Sequence, residues 1–88
     1  MKEIKVVIKN KLGLHARAAA MLVEHVSRFE SDITIIKGGR EVDGKSIMGL
    51  MTLAAGIGTE LKIKARGTDE KAALEAIFSL VERKFDEE

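Results

Sequence analysis

The sequence contains no cysteine and no proline. Without cysteine the chain forms no disulfide, no thiolate metal site and no thiol nucleophile. Small proteins without disulfides are typical of reducing compartments, so we expect a cytoplasmic protein. Without proline, the glycines are the main residues that mark turns.

Aromatic residues and excess charge are also scarce. There are three phenylalanines and no tryptophan or tyrosine, and 15 basic residues face 14 acidic ones. This composition argues against base-stacking surfaces and against strong electrostatic binding to nucleic acid. The longest apolar run, Ala18–Val23, is far shorter than the ~20 residues of a membrane-spanning helix. We therefore predict no nucleic-acid partner and no membrane insertion.

The 88 residues are within the usual size of one domain, and we predict a single domain over residues 1–88. Apolar residues alternate with polar ones, as in half-buried strands, in four segments: Ile4–Ile8, Asp32–Lys37, Arg40–Asp43 and Leu61–Ala65. Gly38-Gly39 predicts a hairpin between the second and third strands.

Three segments have helical spacing of apolar residues. The first begins at Ala16, and the second runs from Ile47 to about Ala54 with Ser46 as its N-cap and Leu50, Leu53 and Ala54 as its core residues. The third follows a Thr68 cap, with Asp69 and Glu70 in its first turn and an apolar face of Leu74, Ile77, Phe78, Val81 and Phe85. The resulting order, βαββαβα, predicts an α+β fold, an open-faced two-layer sandwich whose antiparallel sheet is covered on one face.

The most informative segment for function is Gly13–Ala19, where a loop becomes a helix. A helix start has unpaired backbone N–H groups and a partial positive charge, and Arg17 adds a permanent cation next to His15. No acidic residue occurs between Asn10 and Val23. These features favour a neutral His15 ring and an anion beside it. The alternative on spacing alone is a solvated histidine and a solvated arginine.

The run Gly13–Arg17 resembles the active-site signature of HPr, the histidine-containing phosphocarrier of the phosphoenolpyruvate-dependent sugar phosphotransferase system. A second segment, Lys45–Met51, resembles the regulatory-serine motif of the same family. The similarity covers essentially the whole chain in length and element order. It implies a four-stranded sheet of order 1-4-2-3 with three helices on one face.

The resemblance also implies roles for individual residues. His15 would accept a phosphoryl group at Nδ1 from enzyme I and pass it to enzyme IIA domains, so the chain would be a carrier and not an enzyme with its own turnover. Arg17 and the backbone N–H groups of Ala16 and Arg17 would contact the phosphate. No metal or cofactor is expected, and we expect a monomer.

Two residues depart from the family pattern. Most members have proline at the position of Ala18, so this chain has an additional backbone donor in the first helical turn, which we include in the predicted phosphate site. Many members have a small polar residue at the position of Leu12, so no hydroxyl is expected from that loop. We expect the Ala18 donor to change the lifetime of phosphohistidine modestly without abolishing transfer.

Ser46 is interpreted as a helix cap, and the family motif adds a regulatory role. The implied partners at Ser46 are HPr kinase/phosphorylase and a transcriptional regulator. A phosphate there would add negative charge next to Ile47, Met48 and Met51, which we predict to form a partly exposed docking patch. The alternative is that these three side chains belong to the core.

His25, one position before Val26 on the first helix, is predicted to be a surface residue. Its spacing from His15 matches no metal-ligand motif. The tail Asp86–Glu88 is predicted to be solvated. Three other functions stay open: a nitrogen-branch paralogue with the same His15 chemistry, a docking-only regulatory module, and a small RNA-binding domain. The near-neutral charge and the lack of strand aromatics disfavour the last.

Overall fold

The computed structural model describes residues 1–87. In chain order the elements are β1 (Lys2–Val7), α1 (Ala16–Val26), β2 (Asp32–Lys37), β3 (Arg40–Asp43), α2 (Ile47–Met51), β4 (Glu60–Arg66) and α3 (Glu70–Glu82), followed by a short 3-10 turn, Lys84–Asp86. The predicted order βαββαβα is confirmed.

The strands form one antiparallel sheet of order β1-β4-β2-β3. Ile63 of β4 lies opposite Ile4 of β1 on one side and Ile35 of β2 on the other. Side chains alternate across the sheet, and those on the covered face are buried: Val6, Ile33, Ile35, Leu61, Ile63 and Ala65. The open-faced α+β sandwich and the implied strand order are both confirmed.

The three helices cover that face of the sheet with their apolar stripes. The buried helical residues are Ala18, Ala19, Leu22 and Val26 of α1, Leu50 of α2, and Ala73, Leu74, Ile77, Leu80 and Val81 of α3. Each large aliphatic side chain buried in this way contributes roughly 1.5–3 kcal/mol. Within residues 1–87, no helix combines the length and apolarity that a membrane crossing demands.

The second helix is shorter than predicted. It ends at Met51, and Ala54, which was predicted to be a core residue, is exposed with a φ of 49°. Leu53 is buried as predicted. The chain turns at Ala54 because the next residue, Ala55, is buried and its carbonyl accepts a hydrogen bond from the N–H of Leu14 at 2.8 Å.

The start of the third helix also differs from the prediction. Its N-cap is Asp69 and not Thr68. The Asp69 carboxylate does not cap the helix with a hydrogen bond; it accepts the backbone N–H groups of Glu30 at 2.9 Å and Ser31 at 3.0 Å, and the Ser31 hydroxyl. This contact between distant segments sets where α3 begins.

The end of the third helix was predicted too far along the chain. Helix α3 ends at Glu82, and Phe85 is buried from the turn that follows, where Lys84, Phe85 and Asp86 all have positive φ. Phe78, predicted on the buried face, is 48% exposed. The turn lets Phe85 fill a place in the core that a straight helix would not reach.

Candidate functional site

The loop before α1 is held close to the backbone of Ala55 and Gly56. Gly13 has a φ of +68°, and a Cβ at that position would lie 2.5 Å from the carbonyl oxygen of Ala55. Glycine alone fits such a close approach in the left-handed region. The next residue, Leu14, donates its N–H to the same carbonyl. The position of the following residue, His15, is thereby set against the rest of the molecule.

Helix α1 begins at Ala16 as predicted, so His15 is its N-cap residue. Its backbone is extended, with φ −81° and ψ 180°, and its carbonyl accepts the N–H of Ala19 at 2.8 Å. The side chain makes no capping hydrogen bond and is 31% exposed. Since Ala19 makes the first intrahelical bond, the N–H groups of Ala16, Arg17 and Ala18 have no partner within the helix.

The residues that carry these three donors differ in exposure. Ala16 and Arg17 are exposed, whereas Ala18 is fully buried at 0% exposure. Ala16 and Arg17 therefore lie at the surface from which an anion would approach His15. The role of the Ala18 N–H in phosphate binding stays a prediction.

His15 and Arg17 line the same small hollow, with a volume of about 50 Å³. Leu12 lines it too and is 65% exposed. The helix start and the guanidinium thus provide positive charge next to a half-exposed imidazole. A neutral ring in this place can act as a nucleophile towards an electrophilic phosphorus.

Glu87 is a site residue that the sequence analysis missed. Its carboxylate lies 3.5 Å from Nε2 of His15 and accepts hydrogen bonds from Nδ2 of Asn10 at 2.7 Å and from the N–H of Leu12 at 3.1 Å. The hydrogen bond from Asn10 is the largest cause that lowers the pKa of Glu87 below its usual range, so Glu87 is ionised near neutral pH.

The prediction of a solvated tail is therefore wrong for Glu87. Asp86 is exposed as predicted, and Glu88 lies outside the described residues. The residues next to His15 in the sequence include no carboxylate that could offset the positive charge of the helix start and Arg17. Glu87 provides such a carboxylate from the other end of the chain. Glu87 is 75 residues from Leu12, and no local pattern indicates that such a distant residue returns to the loop.

Ser46 caps α2 as predicted, because its Oγ accepts the N–H of Gly49 at 3.0 Å. Ile47, Met48 and Met51 are 40%, 75% and 43% exposed. These three residues, here called the methionine patch, are partly exposed as predicted. A role in docking stays a prediction.

His25 is half-buried, and its Nδ1 lies 2.8 Å from the carbonyl oxygen of Met21, one helical turn earlier. The prediction of a plain surface residue is therefore wrong in part, because the ring is held against its own helix. Over residues 1–87, no cluster of three or more histidine or acidic side chains is suited to hold a metal ion.

A hollow of about 620 Å³ lies between β1 and α3 and does not include His15. The hollow at His15 is far smaller. A shallow reactive residue suits a protein whose chemistry takes place in the binding site of a partner, where the partner supplies the enclosure.

Comparisons with known proteins agree with this site. The family described as "PTS HPr component phosphorylation site" matches residues 2–83. The phosphocarrier protein HPr of Xylella fastidiosa is 48% identical over 88 residues, covering 100% of this chain and 99% of the relative. The phosphocarrier protein NPr of Shewanella violacea is 46% identical over 85 residues, covering 97% of this chain and 93% of the relative.

A crystal structure of HPr from Thermoanaerobacter tengcongensis has the same fold. It superposes with a TM-score of 0.96 at 48% identity, covering 100% of this chain and 99% of the other. The match extends over the sheet, the helices and the segment that carries His15. This chain therefore belongs to the HPr family of phosphocarrier proteins of the phosphotransferase system.

Proposed function

We propose that this chain is a phosphocarrier domain that accepts a phosphoryl group on His15 from phospho-enzyme I and passes it to enzyme IIA domains for sugar uptake. It acts as a cytoplasmic monomer and has no turnover of its own. The single observation that carries the proposal is a half-exposed His15 at the start of α1, beside the exposed residues Ala16 and Arg17.

The proposed step uses the lone pair of Nδ1. This nitrogen forms a bond to phosphorus while the bond from phosphorus to the leaving atom of the donor breaks, in line and through a loose transition state. The N–H groups of Ala16 and Arg17 and the Arg17 guanidinium hold the negative oxygens. Reversal with a second acceptor returns the ring to its starting state.

The direct test is incubation with phosphoenolpyruvate and enzyme I. We expect one acid-labile phosphoryl group on the intact protein, detected by mass spectrometry, and no label on His15→Ala. His25→Ala is the matched control, since it removes the other histidine and leaves the α1 start intact; it keeps the label. A wild-type protein that gains no phosphoryl mass contradicts the proposal.

Regulation at Ser46 is a second part of the proposal. A phosphate on Ser46 adds about −1.5 to −2 charge at a helix start that tolerates it, beside the methionine patch. The modification is expected to act on docking of acidic or apolar partner surfaces and not on folding. HPr kinase/phosphorylase and a transcriptional regulator are the proposed partners for this state.

A nitrogen-branch paralogue is the alternative that a specific observation favours, because the NPr of Shewanella violacea is nearly as similar as the HPr of Xylella fastidiosa. Both use the same His15 chemistry. Transfer from the phosphorylated chain to enzyme IIA domains of each branch, measured side by side, distinguishes them. A docking-only module is excluded if either domain receives the group.

A further inference from the structure

The segment after α3 returns to the phosphoryl-acceptor loop by an unusual path. Lys84, Phe85 and Asp86 have φ values of 58°, 54° and 56°, in the left-handed region that costs roughly 1–2 kcal/mol per residue when it is not glycine. Three such residues in succession persist only where the surroundings hold them. Phe85, 3% exposed, anchors the turn in the core.

The turn ends with Glu87 seated between two groups of the active-site loop. One carboxylate oxygen accepts Nδ2 of Asn10, and the other accepts the N–H of Leu12. Asn10 is itself 1% exposed, and its Nδ2 also donates to the carbonyl of Gly13 at 2.7 Å. The carboxylate is thus held by a buried side chain and does not sample solvent as a free tail would.

From this position the carboxylate faces one particular nitrogen of His15. The 3.5 Å contact is made to Nε2 and not to Nδ1, which is separated from Nε2 by one ring carbon. Most residues that line the two hollows beside His15 are apolar or glycine. Among residues 1–87, Arg17 and Glu87 are the charged groups that line them.

We propose that Glu87 is a positioning residue, which keeps the proton of His15 on Nε2 and so leaves the lone pair on Nδ1. An anion next to Nε2 favours an N–H at that nitrogen over a lone pair. The proposal deepens the proposed function and rests on it for the identity of the reaction. It gives a physical reason for the proposed attack through Nδ1 and not through the nitrogen beside Glu87.

Glu87 is also expected to stabilise the phosphorylated ring, because of the charge that the ring acquires in the transfer step. The neutral ring attacks through Nδ1, the N–P bond forms, the bond to the donor breaks with its electron pair on the donor, and the Nε2 proton stays in place. The ring becomes cationic when it is phosphorylated. An ionised carboxylate 3.5 Å from Nε2 stabilises that product more than the neutral starting ring.

The test compares Glu87→Gln with Asp86→Asn, which removes the same charge from the neighbouring residue. Long-range proton–nitrogen NMR of the unphosphorylated protein, at a pH where the ring is neutral, reports the ratio of the Nε2–H to the Nδ1–H form. We expect this ratio to fall roughly threefold in Glu87→Gln, the factor that an ion pair of ordinary strength supports. Asp86→Asn keeps the wild-type ratio.

Phosphorylation by phospho-enzyme I provides a second readout. We expect Glu87→Gln to slow it roughly threefold, and Glu87→Asp, which keeps the charge, to restore part of the rate and of the tautomer ratio. An unchanged ratio in Glu87→Gln, or an equal change in Asp86→Asn, overturns the proposal. The NMR measurement needs no phosphoryl donor, so it tests the role of Glu87 even if the proposed carrier function is wrong. A wrong carrier function would be seen separately, because the wild-type protein would then not be phosphorylated.

Discussion

At the scale of the residue, Arg17 carries a permanent positive charge next to the proposed phosphoryl acceptor, His15. Its side chain is exposed and lines the same hollow as the imidazole. Arginine presents several N–H donors in a fixed planar arrangement that matches phosphate, whereas lysine presents a compact ammonium. The charge and the geometry of Arg17 are therefore both expected to matter.

Arg17→Ala is expected to slow phosphorylation of His15 about ten- to a hundredfold, because a charge-assisted hydrogen bond contributes about 1.5–3 kcal/mol. Arg17→Lys is expected to recover part of that loss. The rate of transfer from phospho-enzyme I measures both. Arg28→Ala is the control, since Arg28 is an exposed arginine that pairs with Glu24 at 3.7 Å. A full rate in Arg17→Ala contradicts the role assigned to the guanidinium.

At the scale of the element, the start of α2 combines two roles in one residue, because Ser46 is both the helix cap and the proposed regulatory site. The five-residue helix depends on Ser46, whose Oγ accepts the N–H of Gly49. Aspartate caps helices about as well as serine, and alanine does not cap them. Replacing Ser46 by each residue therefore separates the structural role from the charge.

Ser46→Ala is expected to lower the free energy of unfolding by about 0.5–2 kcal/mol and to leave phosphorylation of His15 unchanged. Ser46→Asp is expected to keep the wild-type melting curve and to slow phosphorylation, because its charge lies beside the methionine patch. Urea unfolding and the transfer rate are the two measurements. Thr68→Asp is the control, because it adds the same charge before α3. If Ser46→Asp lost its stability but was phosphorylated at the normal rate, the proposed effect of charge on docking would be wrong.

At the scale of the whole molecule, Asp69 links the segment before β2 to the start of α3. Its carboxylate accepts the hydroxyl and N–H of Ser31 and the N–H of Glu30. The Ser31 hydroxyl is the largest cause that lowers the pKa of Asp69 below its ordinary value of 3.8. A Cβ on Gly67 would lie 2.6 Å from Ser31 Oγ, so the two segments are closely packed here.

The lowered pKa makes this link sensitive to acid. The carboxylate is ionised in both states above its unfolded pKa, so its stabilising effect is fully present there. As the pH falls below 3.8 towards the lower pKa of the folded state, the unfolded state binds the proton first and the effect is lost. Two other carboxylates also have a lowered pKa. The hydrogen bond from the N–H of Gly67 lowers the pKa of Glu70, and the hydrogen bond from Asn10 lowers the pKa of Glu87.

Asp69→Asn is therefore expected to be less stable than the wild type at neutral pH, with a difference that shrinks as the pH falls below 3.8. Urea unfolding at a series of pH values measures this difference. Asp32→Asn, an exposed aspartate at the start of β2, is the comparison variant. A difference for Asp69→Asn that does not vary with pH would show that the carboxylate acts through its shape alone.

Much of this protein follows from local sequence. Apolar residues recur every second position in the strands and about every 3.6 positions in the helices, and this periodicity predicts the element order. The run Gly13–Arg17 places His15 at a helix start. Ser46 as a cap follows from serine before an apolar segment. These features depend on neighbours in the chain, so they were predicted correctly.

Only the tertiary structure decided where the ends of elements lie and which distant groups meet. Asp69 starts α3 because amides of another segment hold its carboxylate, and the chain leaves α3 early so that Phe85 is buried. The same turn brings Glu87 to His15. Contacts of this kind depend on how the helices and the sheet pack in three dimensions, and periodicity along the chain carries no information about them.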